Sequence, residues 1–304
     1  MKGWSAIRFP DGAGRMSERQ AYLWALVLAA RYIPFRIENR SGDWQLLTPA
    51  DIHARAEEEL RLFEEENRNW PPPAPKARPL AENTLATLSV LILLATFHNI
   101  TQLPSLVPGH AAPNWIELGS AKVNLILAGE WWRLVTPLTL HADWFHLFSN
   151  LTIGGFFVIC LCRELGSGLA WSLLLATGVL GNWANAQVQL PSHSSVGAST
   201  TVFGAVGILA ALTLVRYRHH LRRRWALPVA AALALLALLG SEGKQTDLGA
   251  HLFGFLAGIG LGLVTESLVG RYGRPGRGVS ALLALADAVV VVGSWWAALH
   301  WGVY

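Results

Sequence analysis

Long apolar segments recur through the last three quarters of this chain and constrain its fold more than any other feature of the sequence. Seven of them reach or approach the roughly 20 residues that a helix needs to cross the hydrocarbon core of a bilayer. A backbone inside the bilayer must satisfy its own hydrogen bonds, so segments of this kind form helices. The sequence therefore predicts an all-α polytopic membrane protein. The seven predicted helices cover residues 84–103, 145–162, 167–190, 199–215, 225–240, 247–268 and 279–303.

The first 80 residues have a different composition from the rest of the chain. They hold 12 basic and 11 acidic side chains, whereas the remaining 224 residues hold 12 and 9. Apolar patterning in this front part predicts the order β–α–β–β–α, which is typical of a small soluble α+β domain. We place that domain at residues 1–70 and a stiff proline-rich linker, which contains the run PPPAPKARP, at residues 71–83. The near balance of charge argues against a nucleic-acid partner.

The distribution of Lys and Arg predicts the orientation in the membrane. If the front domain is cytoplasmic, the inner connections carry 11 Lys and Arg residues and the outer ones carry three. Cytoplasmic loops are enriched in these residues. We therefore expect an inner-membrane, multi-pass protein with a cytoplasmic N-terminus and an external C-terminus.

Two polar residues in the fourth and sixth segments stand out as a possible nucleophile and base. Ser199 opens the fourth segment, and His251 lies near the outer end of the sixth. Small residues, among them Gly254, recur every four positions after Ala250, so this face allows close contact with another helix. Two antiparallel helices in such contact place the imidazole within reach of the hydroxyl. The alternative is a serine that caps its own helix and a histidine that bonds a carbonyl.

The second segment adds two polar residues on one helical face, His146 and Asn150, which can donate hydrogen bonds to a charged oxygen. Metal binding is the rival interpretation of His141 and His146, but a five-residue spacing of two histidines is a weak metal signal and HExxH is absent from the chain. We expect neither a metal nor another cofactor. Cys160 and Cys162 are interpreted as small apolar fillers, and Asp287 in the seventh segment as a packing contact.

Four ordered stretches resemble the rhomboid family of intramembrane serine proteases: EWWRLVTPLTLHADWFHLFSN, RELGSG, GASTTVFGAVG and AHLFGFLAG. They lie between residues 84 and 268, where the resemblance implies a six-helix catalytic core, with residues 279–303 as an additional C-terminal helix. It implies a Ser199–His251 dyad and an oxyanion site at His146 and Asn150. By the same likeness Phe203 packs against the catalytic imidazole, and Gly197 and Gly254 support the site.

The resemblance implies cleavage of peptide bonds in or next to transmembrane helices of protein substrates within the lipid bilayer. One position departs from the family pattern, because Thr200 follows Ser199 where Gly is common. A β-branched residue there alters the spacing around the dyad. The alternative function is therefore a catalytically inactive rhomboid-like protein that binds the transmembrane helices of client proteins.

Overall fold

The computed structural model of the chain describes residues 3–7, 16–40, 43–68, 78–104, 113–217, 230 and 247–302. The chain divides into two compact units, Met1–Ala74 and Pro75–Tyr304. Residues 71–77 of the predicted proline-rich linker lie outside the described part.

The first unit contains its elements in the β–α–β–β–α order that the sequence predicts. Strands β1, β2 and β3 form an antiparallel sheet in the order β1-β3-β2, and helices α1 and α2 pack with it. The Ser17 hydroxyl caps α1 by accepting from the Gln20 amide at 3.2 Å. Residues 41–42, between β2 and β3, lie outside the described part. The bounds are β1 Trp4–Ala6, α1 Glu18–Ala30, β2 Arg36–Arg40, β3 Asp43–Pro49 and α2 His53–Asn67.

The second unit is mainly helical. A π-helical turn at Asn150–Gly154 joins α6 to α7 and makes them one long segment. Between α3 and α6 lie short helices and two 3-10 turns, Trp131–Leu134 and Thr136–Thr139. The other bounds are α3 Thr84–Thr101, α4 Trp115–Gly119, β4 Ala121–Lys122, α5 Val123–Leu127, α6 Trp144–Ser149, α7 Gly155–Leu165, α8 Ser167–Val188, β5 Ser194–Ser195, α9 Ser199–Arg216, α10 Leu248–Tyr272 and α11 Arg277–Trp301.

Five helical segments of the described residues are long and apolar enough to cross a membrane: Thr84–Thr101, Trp144–Leu165, Ser199–Arg216, Leu248–Tyr272 and Arg277–Trp301. They correspond to five of the seven predicted segments, and the chain is a multi-pass membrane protein. The third prediction is also a helix, α8, but its polar Asn182 and Asn185 lower its hydropathy and it is not among the five. The fifth prediction, residues 225–240, falls outside the described residues except for Ala230.

Helices α9 and α10 lie at the centre of the second unit. More than half of the apolar window of α9 is buried, against 11% for α3 and 17% for α11. Leu161, Leu174, Ile208 and Leu212 form a core between α7, α8 and α9. The start of α9, which carries Ser199, is therefore held by neighbours on several sides.

The loop before α6 is fixed by a buried arginine. Arg133 is fully buried, and its guanidinium donates to Glu130 at 2.5 Å and to the carbonyls of Glu117 and Ser120. This loop also pairs with the loop before α9, because β4 and β5 form a short antiparallel ladder. The two loops thus hold each other beside Ser199.

The opposite ends of these helices carry a network of paired charges. Arg78 donates to both carboxylate oxygens of Glu266, at 3.0 and 3.1 Å. Arg216 at the end of α9 donates to Glu164 and to Glu266. The buried Glu266 carboxylate therefore joins the chain before α3 to the ends of α9 and α10.

Candidate active site

Ser199 and His251 meet where two central helices come together. The Ser199 hydroxyl oxygen lies 2.7 Å from the His251 Nε2 atom, which is hydrogen-bond distance. Ser199 is the first residue of α9 and His251 is the fourth of α10. His251 is buried and Ser199 is partly exposed. The approach of hydroxyl and imidazole that the sequence predicts is thus present in the structure.

Glycines allow this close contact between α9 and α10. A Cβ atom on Gly258 would lie 2.3 Å from the Gly204 carbonyl oxygen, and one on Gly207 would lie 2.3 Å from the Phe255 carbonyl oxygen. Because both obstacles are backbone atoms, no side-chain rotation would relieve them. The small face that the sequence predicts on α10 is therefore the face that contacts α9.

The His251 ring is held by stacking. Its centroid lies 4.5 Å from that of Phe203 with an interplanar angle of 30°. Phe203 is four residues after Ser199, so it lies on the same face of α9. Within the described residues the buried Nδ1 atom of His251 has no hydrogen-bond partner. Stacking and the bond to Ser199 thus orient the ring, and no carboxylate of the described residues contacts it in the manner of a third triad member.

Gly197 brings His146 next to the nucleophile. Its φ of +139° is one that residues with a side chain rarely adopt. A Cβ atom there would lie 2.7 Å from the His146 ring and 3.3 Å from the Ser199 hydroxyl oxygen. The absence of a side chain at Gly197 therefore lets the imidazole of α6 approach the turn into α9.

Asn150 lies on the same segment as His146. Asp143 caps α6 by accepting from the His146 amide at 2.8 Å, and the Asn150 side-chain amide donates to the His146 carbonyl at 3.0 Å. An amide nitrogen carries two hydrogens, so Asn150 retains a second donor.

These residues line one cavity of about 500 Å³. Ser199, His251, His146 and Asn150 all border it, together with apolar side chains such as Phe145. A cavity of similar volume in the first unit is lined by residues of α1 and α2 and contains no Ser, Cys or His. The cavity at Ser199 is therefore the candidate active site.

The part of the chain that carries these residues is similar to known proteins. Residues 128–267 match the family model described as the Rhomboid domain. That range includes all four stretches on which the resemblance rests, and it contains Ser199, His251, His146 and Asn150. Residues 128–267 therefore form a Rhomboid domain.

Several relatives share this part of the chain. YdcA of Bacillus subtilis is 29% identical over 153 residues, which are 50% of this chain and 76% of YdcA. Rhomboid-like protease 1 of Toxoplasma gondii is 33% identical over 54% of this chain and 56% of its own length. Rhomboid protease GluP of Bacillus subtilis is 29% identical over 57% of this chain and 34% of its own length. The chain thus spans about half or less of two of these three relatives.

Thr200, the departure from the family pattern, fits between two glycines of the rhomboid core. A Cβ atom on Gly181 of α8 would lie 2.6 Å from the Thr200 methyl group, and one on Gly254 of α10 would lie 3.0 Å from it. The Thr200 hydroxyl donates to the side-chain amide oxygen of Asn182 at 3.4 Å. The β-branched side chain is therefore accommodated without separating Ser199 from His251.

Two buried histidines lie near the candidate site, and sequence reasoning noted only His141. His98 of α3 and His141 of the loop before α6 are 1% and 2% exposed, and the described residues provide no hydrogen-bond partner for either ring. The His141 ring lies between those of His98 and His146, with centroid distances of 6.2 and 5.3 Å. Burial lowers the pKa of His141 to about 3. This side chain is therefore neutral at physiological pH.

Sequence reasoning also missed Asp247, which borders the same cavity. Burial alone raises the pKa of this carboxyl, but hydrogen bonds from the Ala250 amide, His193 and Ser195 outweigh it and leave the pKa below its ordinary value. The available signal was its position four residues before His251, which places both on one helical face. Among the described residues no group of three His, Cys, Asp or Glu side chains is placed to hold a metal ion.

Proposed function

We propose that this protein is an intramembrane serine protease that cleaves peptide bonds in or next to transmembrane helices through a Ser199–His251 dyad. The observation that carries the proposal is the 2.7 Å contact between the Ser199 hydroxyl oxygen and His251 Nε2 at a shared cavity. The Rhomboid domain match of residues 128–267 and the names of relatives such as rhomboid protease GluP support it.

The reaction follows from the roles available to these groups. Ser199 attacks the scissile carbonyl carbon while His251 Nε2 accepts the hydroxyl proton. The tetrahedral intermediate collapses to an acyl-enzyme, and His251 gives the proton to the departing amine. Water then attacks the ester, again with His251 as base, and releases the carboxylic acid and Ser199.

The negative oxygen of each tetrahedral intermediate needs hydrogen-bond donors. Three are available at the cavity: the backbone N–H of Ser199 at the start of α9, the ring N–H of His146 and the second amide hydrogen of Asn150. The N-terminal end of α9 adds the positive end of its helix dipole. These residues have the oxyanion role in the proposal.

The same proposal covers substrate and orientation. A helical substrate keeps its carbonyl groups hydrogen-bonded, so it must unwind locally before Ser199 can attack. We therefore expect preferred cleavage near small or helix-breaking residues close to the outer surface.

The Lys and Arg distribution supports a cytoplasmic N-terminus, with residues 1–70 inside and the 279–303 helix ending outside.

The test uses a labelled fluorophosphonate, which reacts with activated serines, and a single-span protein substrate in detergent and in vesicles. Ser199→Ala is expected to abolish labelling and to lower cleavage by at least about 10³-fold. His251→Ala is expected to lower both in parallel. The matched control is Ser149→Ala, which removes another hydroxyl at the cavity. Cleavage that survives Ser199→Ala would refute the dyad, and wild-type protein that binds transmembrane helices without cutting them would favour the inactive alternative.

A further inference from the structure

We infer that Asp247 is a positioning residue for the Ser199–His251 pair, because it ties the chain before Ser199 to the helix of His251 and places a negative charge one turn from the imidazole. The inference rests on the proposed function. It assigns a role to a buried carboxylate that the proposed dyad does not use.

The two carboxylate oxygens of Asp247 contact different groups. Oδ1 caps α10 by accepting from the Ala250 amide at 3.0 Å. Oδ2 accepts from the Asn185 side-chain amide at 2.7 Å and contacts His193 Nε2, also at 2.7 Å. Asp247 is 8% exposed. A helix cap requires only one acceptor oxygen, so the contacts of Oδ2 are additional to capping.

Those additional contacts connect three parts of the site. Asn185 belongs to α8, His193 lies six residues before Ser199, and Asp247 begins the helix of His251. Because the loop that carries His193 leads directly into α9, the carboxylate limits movement between the nucleophile and the base. The same loop is fixed on its other side, where the Gly197 amide donates to the Pro137 carbonyl at 2.9 Å.

The charge of Asp247 adds a second effect. Asp247 and His251 are four apart on one helix, and the His251 amide donates to the Asp247 carbonyl at 3.1 Å. When Ser199 transfers its proton, the imidazole becomes positive, and a nearby carboxylate favours that form. A protonated His146 across the cavity disfavours the positive imidazole, and a protonated His193 would partly neutralise the Asp247 carboxylate. The carboxylate acts through space, since His251 Nδ1 has no partner among the described residues.

Replacement of the charge without loss of the cap separates this role from simple helix capping. Asp247→Asn keeps an acceptor oxygen, and Asn caps helices as well as Asp does. Asn185→Ala is the matched control, because it removes one contact to the same carboxylate and leaves the charge. Asp247→Glu is a second variant that keeps the charge.

The measurement is the rate of fluorophosphonate labelling of the full-length protein from about pH 4 to about pH 9, with thermal melting of each variant. In Asp247→Asn we expect the acid limb of the profile to move to lower pH by on the order of one unit, and the maximal rate to fall by up to about tenfold. In Asn185→Ala and Asp247→Glu we expect the acid limb to stay at the same pH as in the wild type. Adding Asn185→Asp to Asp247→Asn returns a carboxylate to the cluster and is expected to move the limb part of the way back.

Each outcome decides the matter. If the acid limb of Asp247→Asn stays at the wild-type pH, the role of the charge is overturned, even if the rate is uniformly lower. Asp247 would then be a helix cap only. If Asp247→Asn does not fold, the other two variants decide. An acid limb of Asp247→Glu or Asn185→Ala that differs in pH from that of the wild type then overturns the inference. If the wild-type protein is not labelled, both the proposed function and this inference are overturned. If the wild-type protein is labelled normally and Asp247→Asn has the same pH profile, only the inference is overturned.

Discussion

Substitution of Gly254 by alanine tests whether the close contact of α9 and α10 sets the Ser199–His251 distance. Gly254 lies three residues after His251, and it faces Thr200, the residue next to Ser199. A Cβ atom on Gly254 would lie 2.3 Å from the Thr200 carbonyl oxygen, whereas an ordinary contact is at least 3.4 Å. The two backbones must therefore move apart by about 1.1 Å, the difference between these distances.

A displacement of this size breaks the contact at the site. Added to the 2.7 Å between Ser199 Oγ and His251 Nε2, it gives a separation near 3.8 Å if the movement is along that direction, which is beyond a hydrogen bond. A misplacement of about 1 Å at a reacting group lowers rates by roughly 10²-fold. Overpacking also costs about 1–3 kcal/mol of stability, against up to about 1 kcal/mol gained from the better helix propensity of alanine.

The matched control for Gly254→Ala is Gly260→Ala on the same helix, where a Cβ atom would meet nothing within 4 Å. Fluorophosphonate labelling and cleavage of the single-span substrate are measured for both variants, together with thermal melting in detergent. Gly254→Ala is expected to lose about 10²-fold in labelling rate, and Gly260→Ala to label like the wild type. A Gly254→Ala protein that labels at the wild-type rate would refute the idea that helix spacing sets the dyad.

Three further predictions concern the buried groups around the site. Because the pKa of His141 is about 3 when folded and about 6.5 when unfolded, the neutral buried ring contributes stability that is present above pH 6.5 and lost as the pH falls. We expect about 2 kcal/mol of this loss between pH 6.5 and pH 5, and a flatter pH dependence of melting in His141→Phe. Glu266→Gln removes the buried carboxylate that Arg78 and Arg216 share, leaves Arg216 paired with Glu164, and is expected to cost about 3 kcal/mol, measured by melting. An equal change in Glu58→Gln, whose pair with Arg61 is exposed, would contradict this explanation. Thr200→Gly is expected to remain active and to be less stable by about 1 kcal/mol or more, so a large gain in labelling would show instead that Thr200 hinders the dyad.

The sequence predicted well those features that depend on local chemistry. Apolar length fixed five spanning segments, and the capping residues of α1 marked where that helix begins. The spacing of Gly254 and Gly258 indicated which face of α10 would contact another helix. These features are local because a helix and its apolar face depend on residues three and four apart, which the sequence displays directly.

Other features of the site could be found only in the folded chain. Nothing in the sequence shows that Asn182 and Asn185 reach the Leu134 carbonyl and Asp247 respectively, because these partners are 48 and 62 residues away. The space that accepts Thr200 is likewise a property of three helices, since Gly181 and Gly254 are remote from it in the chain.

The residue types by themselves therefore determined the class of protein, five of its membrane segments and the two groups proposed to carry out acyl transfer. Only the tertiary structure decided how those groups are held: Ser199 at 2.7 Å from His251, the ring stacked on Phe203, and the Asp247 carboxylate joined to Asn185 and His193. The reason is physical. Periodicity and composition specify what a segment can bury, whereas a hydrogen bond of a few ångströms depends on the relative placement of separate helices, which close packing of all their side chains determines together.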